Sequence, residues 1–282
     1  ELQGVHTHIG AYHILHGVDL TVPAGQVTML LGRNGAGKTT TLRTIMGLWP
    51  ASAGVLRFKG RPIGGPGHPA ATPDIARLGI AYVPEAMGIF TDLSVQENMV
   101  LAARSARRAE ELDSQRLEWI FGLFPALRKF WLHPAGKLSG GQKQMLAIAR
   151  AIVEPRELLL IDEPSKGLAP SIIRNLIDAF GQLKRQDTTI LLVEQNFQMA
   201  QALGDSVAVM DNGRIAHAGT MAELAAEPHP RRPEPTPRLS RHSGLPCSRR
   251  RARSRGQRCP RPRGSVYPRR RSTGSRWRCC WR

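Results

Sequence analysis

The sequence predicts an α/β fold with a mostly parallel sheet, an antiparallel β element and an inserted helical subdomain. Three observations support this prediction. A glycine-rich stretch at 32–39 joins an apolar strand to a helix, and from residue 158 onward apolar strands alternate with helices. Between these parts, about 70 residues from Met87 onward have mostly helical periodicity. Strands that alternate with helices are typical of a parallel sheet covered on both faces.

The stretch at 32–39, Gly-Arg-Asn-Gly-Ala-Gly-Lys-Thr, fits the G-x-x-x-x-G-K-[ST] pattern of a phosphate-binding loop. Its glycines let backbone N–H groups approach a triphosphate, and it opens a helix whose N-terminus attracts anions. Lys38 supplies charge for the outer phosphates, and the Thr39 hydroxyl can ligate Mg²⁺. The alternative is a glycine-rich turn that binds nothing. The predicted nucleotide-binding residues of this stretch are Gly32, Asn34, Gly35, Gly37, Lys38 and Thr39, and Thr40 directly after it is included with them.

The N-terminal part has β character around this loop. Two strands that precede the loop strand predict an antiparallel β element. Glycines and prolines between Arg61 and Pro73 predict a loop. The predicted strands span 2–10, 18–22, 26–31, 54–60 and 80–84.

The middle of the chain is predicted to be helical. Ser94 and Glu97 have the spacing of a capping box, which starts a helix that continues to about Arg107. A second helix fits 114–123, because its apolar positions share one face. These features predict a helical subdomain at about 87–153, inside a domain that spans 1–227.

A strand at 158–163 ends in two acids, Asp162 and Glu163. Next to a phosphate loop, a carboxylate at the carboxyl end of a strand is placed to bind Mg²⁺, which assigns Asp162 to the metal. Glu163 can take a proton from an attacking water. The alternative is that the two acids only cap a strand end in solvent. The remaining predicted elements are helices at 171–184 and 197–203, a strand at 188–193, and strands at 206–210 and 214–217 in a hairpin closed by Asn212-Gly213.

The run Leu-Ser-Gly-Gly-Gln at 138–142 opens a helix that continues to Val153. Ser139 and Gln142 can form a capping box, which is the structural interpretation. That box does not need two consecutive glycines, and Gly140 and Gly141 leave the helix N-terminus bare as a second anion site. One chain cannot easily bring both helix N-termini to the same phosphate, whereas two chains that face each other head to tail can.

Charge is unevenly distributed along the 282 residues, whose net charge is +18. Residues 228–282 hold 18 Arg, no Lys and one acid, so 1–227 carries 22 basic and 21 acidic residues. All four Cys lie in that tail, which excludes a disulfide framework in 1–227 and favours a reducing compartment. No apolar run approaches the roughly 18–20 residues of a membrane-spanning helix.

The Arg- and Pro-rich tail at 228–282 is predicted to be disordered, because it has too few apolar residues to offset the entropy of ordering. Three interpretations are open: a tail that binds nucleic acid or anionic lipid, a passive extension, or the product of a shifted reading frame in GC-rich DNA. The absence of Lys beside 18 Arg favours the third. Nucleic acid is therefore not an expected partner.

The phosphate loop, the LSGGQ run and LLLIDEP at 158–164 occur in this order, and together they resemble the ATP-binding subunit of ATP-binding cassette (ABC) transporters. The resemblance covers residues 2 to about 227. It is closest to the branched-chain amino acid and urea importers, on the runs YVPE at 82–85, EPSKGLAP at 163–170 and LVEQN at 192–196.

The resemblance implies a role for each motif residue. The residues that match the family's nucleotide and metal positions are Lys38, Thr39 and Asp162, and Glu163 matches its general base. Ser139 and Gly141 match the signature that contacts the γ-phosphate bound to the other subunit. The implied cofactors are ATP and Mg²⁺, and the implied catalytic residues are Glu163, Lys38 and Gln195.

Two positions depart from the family pattern, and a third family position, the aromatic ring at adenine, has no clear match. Most of the family has Gln where Glu85 stands, and a carboxylate there can still face Mg²⁺. Most also has a switch His where Gln195 stands; Gln195 can donate a hydrogen bond to the γ-phosphate but cannot take a proton at neutral pH. For the aromatic ring that stacks on adenine the candidate is Tyr12, although the spacing from Leu15 places the usual position at Ile9.

The resemblance implies an ATPase that energises uptake of branched-chain amino acids, or of a related small polar solute such as urea or an amide, through a separate membrane permease. The expected partners are a second ATP-binding subunit, identical or different, the transmembrane permease subunits and, indirectly, a periplasmic or extracellular solute-binding protein. The expected location is peripheral, on the cytoplasmic face of the membrane, with residues 87–93 as the candidate permease contact. The alternatives are the ATPase of a lipid or polysaccharide exporter and a non-transport ABC ATPase that acts on nucleic acid.

Overall fold

The computed structural model describes residues 1–68 and 70–226, and the tail predicted at 228–282 lies outside the described residues. Within the described part, no helix is long and apolar enough to cross a membrane. The strands are β1 (Leu2–Ile9), β2 (Tyr12–Leu20), β3 (Val27–Gly32), β4 (Ala51–Phe58), β5 (Arg61–Gly64), β6 (Ile80–Val83), β7 (Leu158–Asp162), β8 (Thr189–Glu194), β9 (Ser206–Asp211) and β10 (Arg214–Thr220). The helices are α1 (Lys38–Ile45), α2 (Thr72–Arg77), α3 (Val95–Ala102), α4 (Ser114–Leu123), α5 (Pro125–Lys129), α6 (Gly140–Ala151), α7 (Pro170–Lys184), α8 (Phe197–Leu203) and α9 (Met221–Ala226).

A six-stranded sheet in the order β10-β9-β3-β8-β7-β6 carries the fold. Its strands from β9 to β6 are parallel to one another, and β10 pairs antiparallel with β9 at one edge. A second sheet, in the order β2-β1-β4-β5, is antiparallel throughout. The predicted α/β class, with a mostly parallel sheet and an antiparallel β element, is confirmed.

The inner strands of the six-stranded sheet are buried on both faces. Neighbouring strand residues point to opposite sides, so Met29 packs into the core that α6 and α7 cover, and Leu30 packs into the core on the side of the antiparallel sheet. Leu192 and Leu191 of β8 divide between the two cores in the same way. This two-sided burial explains why the strands are continuous apolar runs without polar alternation.

Helices α3 to α6 lie within the region predicted as helical. The capping box at the start of α3 is confirmed, since Ser94 Oγ accepts from the Glu97 N–H at 3.1 Å and the Glu97 carboxylate accepts from the Ser94 N–H at 2.7 Å. The prediction that this helix continues to about Arg107 is wrong. It ends at Ala102 because the Arg104 N–H and guanidinium both donate to the carboxylate of Glu154, at 2.6 and 2.8 Å.

The prediction of an unbroken loop between Arg61 and Pro73 is also wrong. The segment begins with β5, which pairs with β4 and buries Ile63 against the core. Near its end, Pro73 lies in the first turn of α2, a position where a proline costs no hydrogen bond. Its glycines and prolines correctly signal turns, but they do not exclude a four-residue strand between them.

Candidate functional site

The candidate site lies where the phosphate loop meets the ends of two parallel strands. The loop follows β3, and the neighbouring strands β8 and β7 end at Glu194 and Asp162. Because β3 pairs with β8 and β8 with β7 in parallel register, the three carboxyl ends lie at one edge of the sheet. Open α/β sheets bind their ligands at this edge.

The phosphate loop has a backbone suited to an anion. Gly35 and Gly37 have φ angles of 81° and 108°. Gly37 is the N-cap of α1 and provides no side-chain hydrogen bond, so the first N–H groups of the helix keep their capacity to bind a ligand. Asn34 is exposed on the loop, and Thr40 is half-buried in the first turn of α1.

The Lys38 side chain is buried at the base of the loop, with 4% of it exposed. Its ammonium donates to the carbonyl oxygens of Gly32 and Arg33 at 2.9 and 3.1 Å. It also lies 3.3 Å from a carboxylate oxygen of Glu163. These acceptors compensate a charge whose burial would otherwise be costly. The ion pair brings together two residues that were predicted from separate motifs.

Thr39 and Asp162 also meet, as their shared assignment to the metal requires. The Thr39 hydroxyl donates to Asp162 Oδ1 at 3.1 Å, and the Tyr82 hydroxyl lies 3.4 Å from Asp162 Oδ2. Burial raises the pKa of Asp162 above its ordinary value, while the hydrogen bond from Thr39 acts in the opposite direction. Burial and then the Asp162 charge raise the pKa of Tyr82 to about 12, so its phenol is protonated at neutral pH.

This pair of oxygens fits a small divalent cation. A hydroxyl and a carboxylate are hard ligands of the kind that Mg²⁺ takes. Adjacent ligands of an octahedral Mg²⁺ lie about 3 Å apart, given its bonds of about 2.0–2.1 Å. The 3.1 Å between Thr39 Oγ1 and Asp162 Oδ1 matches that separation.

The backbone turns sharply at Glu163, immediately after β7. Its φ of 47° lies in the left-handed region that side chains other than glycine rarely adopt. Gln195 Nε2 donates to Glu163 Oε1 at 2.8 Å and to Asn34 Oδ1 at 2.7 Å. Gln195 therefore connects the segment after β8 with the candidate base and with the phosphate loop.

Two other predicted residues stand further from this centre. Glu85 is exposed and pairs with Lys166, whose ammonium also lies 3.6 Å from Glu163. Tyr12 is 75% exposed and pairs with Ile9 across the β1–β2 hairpin. The roles of Glu85 at a metal and of Tyr12 at adenine stay predictions.

The signature run forms the predicted cap. Ser139 Oγ accepts from the Gln142 N–H at 3.3 Å, and Gln142 Oε1 accepts from the Ser139 N–H at 2.9 Å. Gly140 is exposed with open space around it, whereas Gly141 is buried and a Cβ there would lie 2.9 Å from Ile172 Cγ2. The inference that both glycines serve only to bare the helix N-terminus is therefore incomplete, because packing against α7 accounts for Gly141.

Sequence reasoning missed one support of the phosphate loop. Asn212 and Gly213 have φ angles of 45° and 73°, which confirms the type I′ turn. The Gly213 N–H donates to the carbonyl of Ala36 in the loop, and its carbonyl accepts from the His16 N–H, both at 2.8 Å. A Cβ on Gly213 would lie 2.0 Å from the carbonyl oxygen of Ile14. The turn alone explains this glycine in the sequence, so no local signal reveals that it also braces the loop.

The sequence-based predictions also assigned no role to Glu194, which lies inside the LVEQN run. Glu194 is only 2% exposed, and its carboxylate accepts hydrogen bonds from Ser165, Gln195 and Asn196. Nothing in the local sequence indicates what a buried acid at a strand end contacts.

Comparisons with known proteins agree with this architecture. Residues 15–166 match the family model described as ABC transporter. The chain is 40% identical over 225 residues to the high-affinity branched-chain amino acid transport ATP-binding protein BraG of Pseudomonas aeruginosa, across 79% of this chain and 94% of BraG. It is 38% identical over 214 residues to the probable branched-chain amino acid transport ATP-binding protein LivF of Archaeoglobus fulgidus, across 75% of this chain and 88% of LivF. A solved ATP-binding subunit of an ABC transporter has a TM-score of 0.65 and 30% identity, across 79% of this chain and 90% of that one.

The two signature glycines should respond differently to a methyl group. Gly141→Ala should destabilise the fold by about 1–3 kcal/mol, because its Cβ overpacks against Ile172. The matched control Gly140→Ala should be neutral or slightly stabilising, because its Cβ meets open space and alanine favours a helix. Urea denaturation of the two variants measures this difference. Equal stability of both would contradict the packing role of Gly141. A smaller cost of Gly141→Ala in an Ile172→Ala background, where the two contacting γ-carbons are absent, would support it.

Proposed function

Because this chain belongs to the ABC transporter family, we propose that it is the ATP-hydrolysing subunit of an importer that takes up branched-chain amino acids or a small polar solute of related chemistry. The observation that carries the ATPase role is the convergence of Lys38, Asp162 and Glu163 at one edge of the sheet. The likeness to BraG and LivF supports the class of solute. The solute would pass through a separate permease, with this subunit on the membrane's cytoplasmic face.

The side chains divide the chemistry of hydrolysis among them. Lys38 would exchange its contact with Glu163 for a contact with the outer phosphates, and the position of its ammonium at the base of the loop supports this role. Release from Lys38 leaves Glu163 Oε1 able to accept a proton from an attacking water. Gln195 would donate to the γ-phosphate and orient the base, and its hydrogen bonds to Glu163 Oε1 and Asn34 Oδ1 support this role.

Thr39 and Asp162 are the residues of this chain that would hold Mg²⁺. When bound, the ion neutralises phosphate charge and orients the β- and γ-phosphates. Glu85 lies at the border of this site, and the charge of Glu85 is among the influences that raise the pKa of Asp162. Its ion pair with Lys166 leaves it a peripheral candidate for the metal.

A second ATP-binding subunit would complete each site. Among the described residues, no hydrogen bond or ion pair joins Ser139 to the phosphate loop. Ser139 is exposed at the start of α6, where the helix N-terminus can meet a phosphate that another chain holds. This arrangement supports a head-to-tail pair in which each chain supplies a phosphate loop to one site and a signature to the other.

The solute is tested with the whole transporter. The tagged chain is purified from its native membranes with its permease subunits and reconstituted in liposomes with ATP and the copurifying solute-binding protein. We expect ATP-dependent uptake of radiolabelled leucine, isoleucine or valine, because the likeness to BraG and LivF spans most of the chain. Transport of a lipid or polysaccharide in the opposite direction, with no amino acid or amide uptake, would contradict the importer assignment.

Two substitutions should separate ATP binding from hydrolysis. Lys38→Ala should weaken ATP binding and abolish hydrolysis, because the outer phosphates lose their charge partner. Glu163→Gln should retain ATP binding while hydrolysis falls by about 10²–10⁴-fold, because an amide cannot take the proton. Calorimetric titration with ATP and phosphate release measure the two properties. Wild-type turnover in Lys38→Ala would overturn the phosphate-loop assignment, and wild-type turnover in Glu163→Gln would overturn the general base.

Mixed dimers should test the two-chain site. For a pair made of two copies of this chain, Ser139→Arg and Lys38→Ala should each be inactive alone, while a mixed dimer of the two keeps one intact composite site. Differently tagged copies isolate that dimer, and phosphate release should recover in part. An inactive mixed dimer, with both chains folded and ATP bound to the Ser139→Arg chain, would argue against the head-to-tail geometry.

A further inference from the structure

We propose that Glu194 is a positioning residue for ATP hydrolysis, which holds the turn at Glu163 and the segment of Gln195 in their working arrangement. The inference rests on the proposed ATPase function and deepens it. Glu194 is the last residue of β8, between Val193, which pairs with Asp162, and Gln195. Glu194 therefore lies between the loop after β7, which carries the candidate base Glu163, and the segment after β8, which carries Gln195.

Four donors surround this carboxylate. Oε1 accepts from the Ser165 N–H at 2.9 Å. Oε2 accepts from the Ser165 hydroxyl at 2.9 Å and from the N–H groups of Gln195 and Asn196 at 3.1 and 3.2 Å. One buried side chain thus binds the loop after β7 and the start of the segment after β8.

An acid is the side chain that this environment requires. Three of the four donors are backbone N–H groups, which cannot reverse their polarity. An amide in place of the carboxylate would turn an N–H₂ group toward at least one of them and leave it unpaired. Within residues 1–68 and 70–226, Glu194 forms no ion pair, so hydrogen bonds alone compensate the burial of its charge.

What the network constrains is the turn that carries Glu163. That residue keeps a left-handed backbone with a φ of 47°, a conformation that persists where its surroundings impose it. Its N–H donates to the carbonyl of Val193 at 2.9 Å on one side. On the other side, Ser165 is held at both its N–H and its hydroxyl by Glu194. The turn is therefore fixed to the end of β8 at two points.

The same carboxylate orients Gln195, whose side chain donates to Glu163 Oε1. The hydrogen bonds of Glu194 reach none of the predicted nucleotide residues of the phosphate loop. Through Gln195 the network does reach the side chain of Asn34. Loss of the network should therefore displace Glu163 and Gln195, while Lys38 and the backbone N–H groups of the loop still bind ATP. A small displacement of a reacting group can cost on the order of 10²-fold in rate.

The test compares Glu194→Gln with wild type in the full chain, assembled with its partner subunits. We expect kcat to fall on the order of 10- to 100-fold, with KM for ATP and the dissociation constant for ATP within about 2-fold of wild type. Ser165→Ala removes one of the four hydrogen bonds and should shift kcat in the same direction by a smaller factor. This variant also keeps the proposal testable if Glu194→Gln does not fold.

Coupling to Glu163 separates positioning from a general structural role. In single-turnover hydrolysis, the double variant Glu163→Gln with Glu194→Gln should be little slower than Glu163→Gln alone. The base is already absent in Glu163→Gln, so its displacement costs little further rate. Three results would overturn the proposal. The rate losses of the two single variants could multiply in the double variant, or kcat could stay unchanged in both Glu194→Gln and Ser165→Ala. The third is a loss of ATP affinity as large as the loss in kcat. If wild type itself does not hydrolyse ATP, the proposed function fails instead, which is a separate result.

Discussion

The buried ammonium of Lys38 is the constraint on which the candidate site depends. An unpaired charge in this environment would be strongly destabilising, so the fold must provide acceptors. Two of them are loop carbonyls and the third is the carboxylate of Glu163, at the end of a different strand. The charge therefore ties the loop to β7. In the proposed function a triphosphate would replace Glu163 as the partner of Lys38, and Lys38 would then couple nucleotide binding to the release of the candidate base.

The sheet order makes that contact possible. Thr39 of the loop precedes Asp162 by 123 residues, and Gln195 follows Glu163 by 32 residues, yet β3, β8 and β7 are neighbours. Because all three run parallel, their carboxyl ends lie at one edge of the sheet. The left-handed turn at Glu163 then directs its side chain back toward Lys38. Backbone strain at this position is balanced by the contacts on either side of it.

Local pattern was sufficient to predict most of this arrangement, and two of its failures have a common cause. Lys38, Asp162 and Glu163 carry chemistry in a recognisable order, and continuous apolar runs identify buried strands. These two depend on contacts between distant segments, unlike the missed strand β5, which pairs with the adjacent β4. The α3 helix ends early because Arg104 bonds Glu154, and Gly213 braces Ala36 across the fold. A single sequence contains no periodicity that encodes such pairs.

Adjacent residues of one motif can serve different physical purposes, and the signature run illustrates the point. Gly141 is buried against Ile172, so glycine there is required by packing whether or not a phosphate ever approaches. Gly140 has open space around it among the described residues, so packing does not explain the absence of a side chain there. The residue that argues for a ligand is therefore the exposed glycine. The same reasoning distinguishes Glu194 from Glu163. Both carboxylate oxygens of Glu194 accept hydrogen bonds within the protein, while Glu163 is paired with Lys38, the residue that the proposed function assigns to the phosphates.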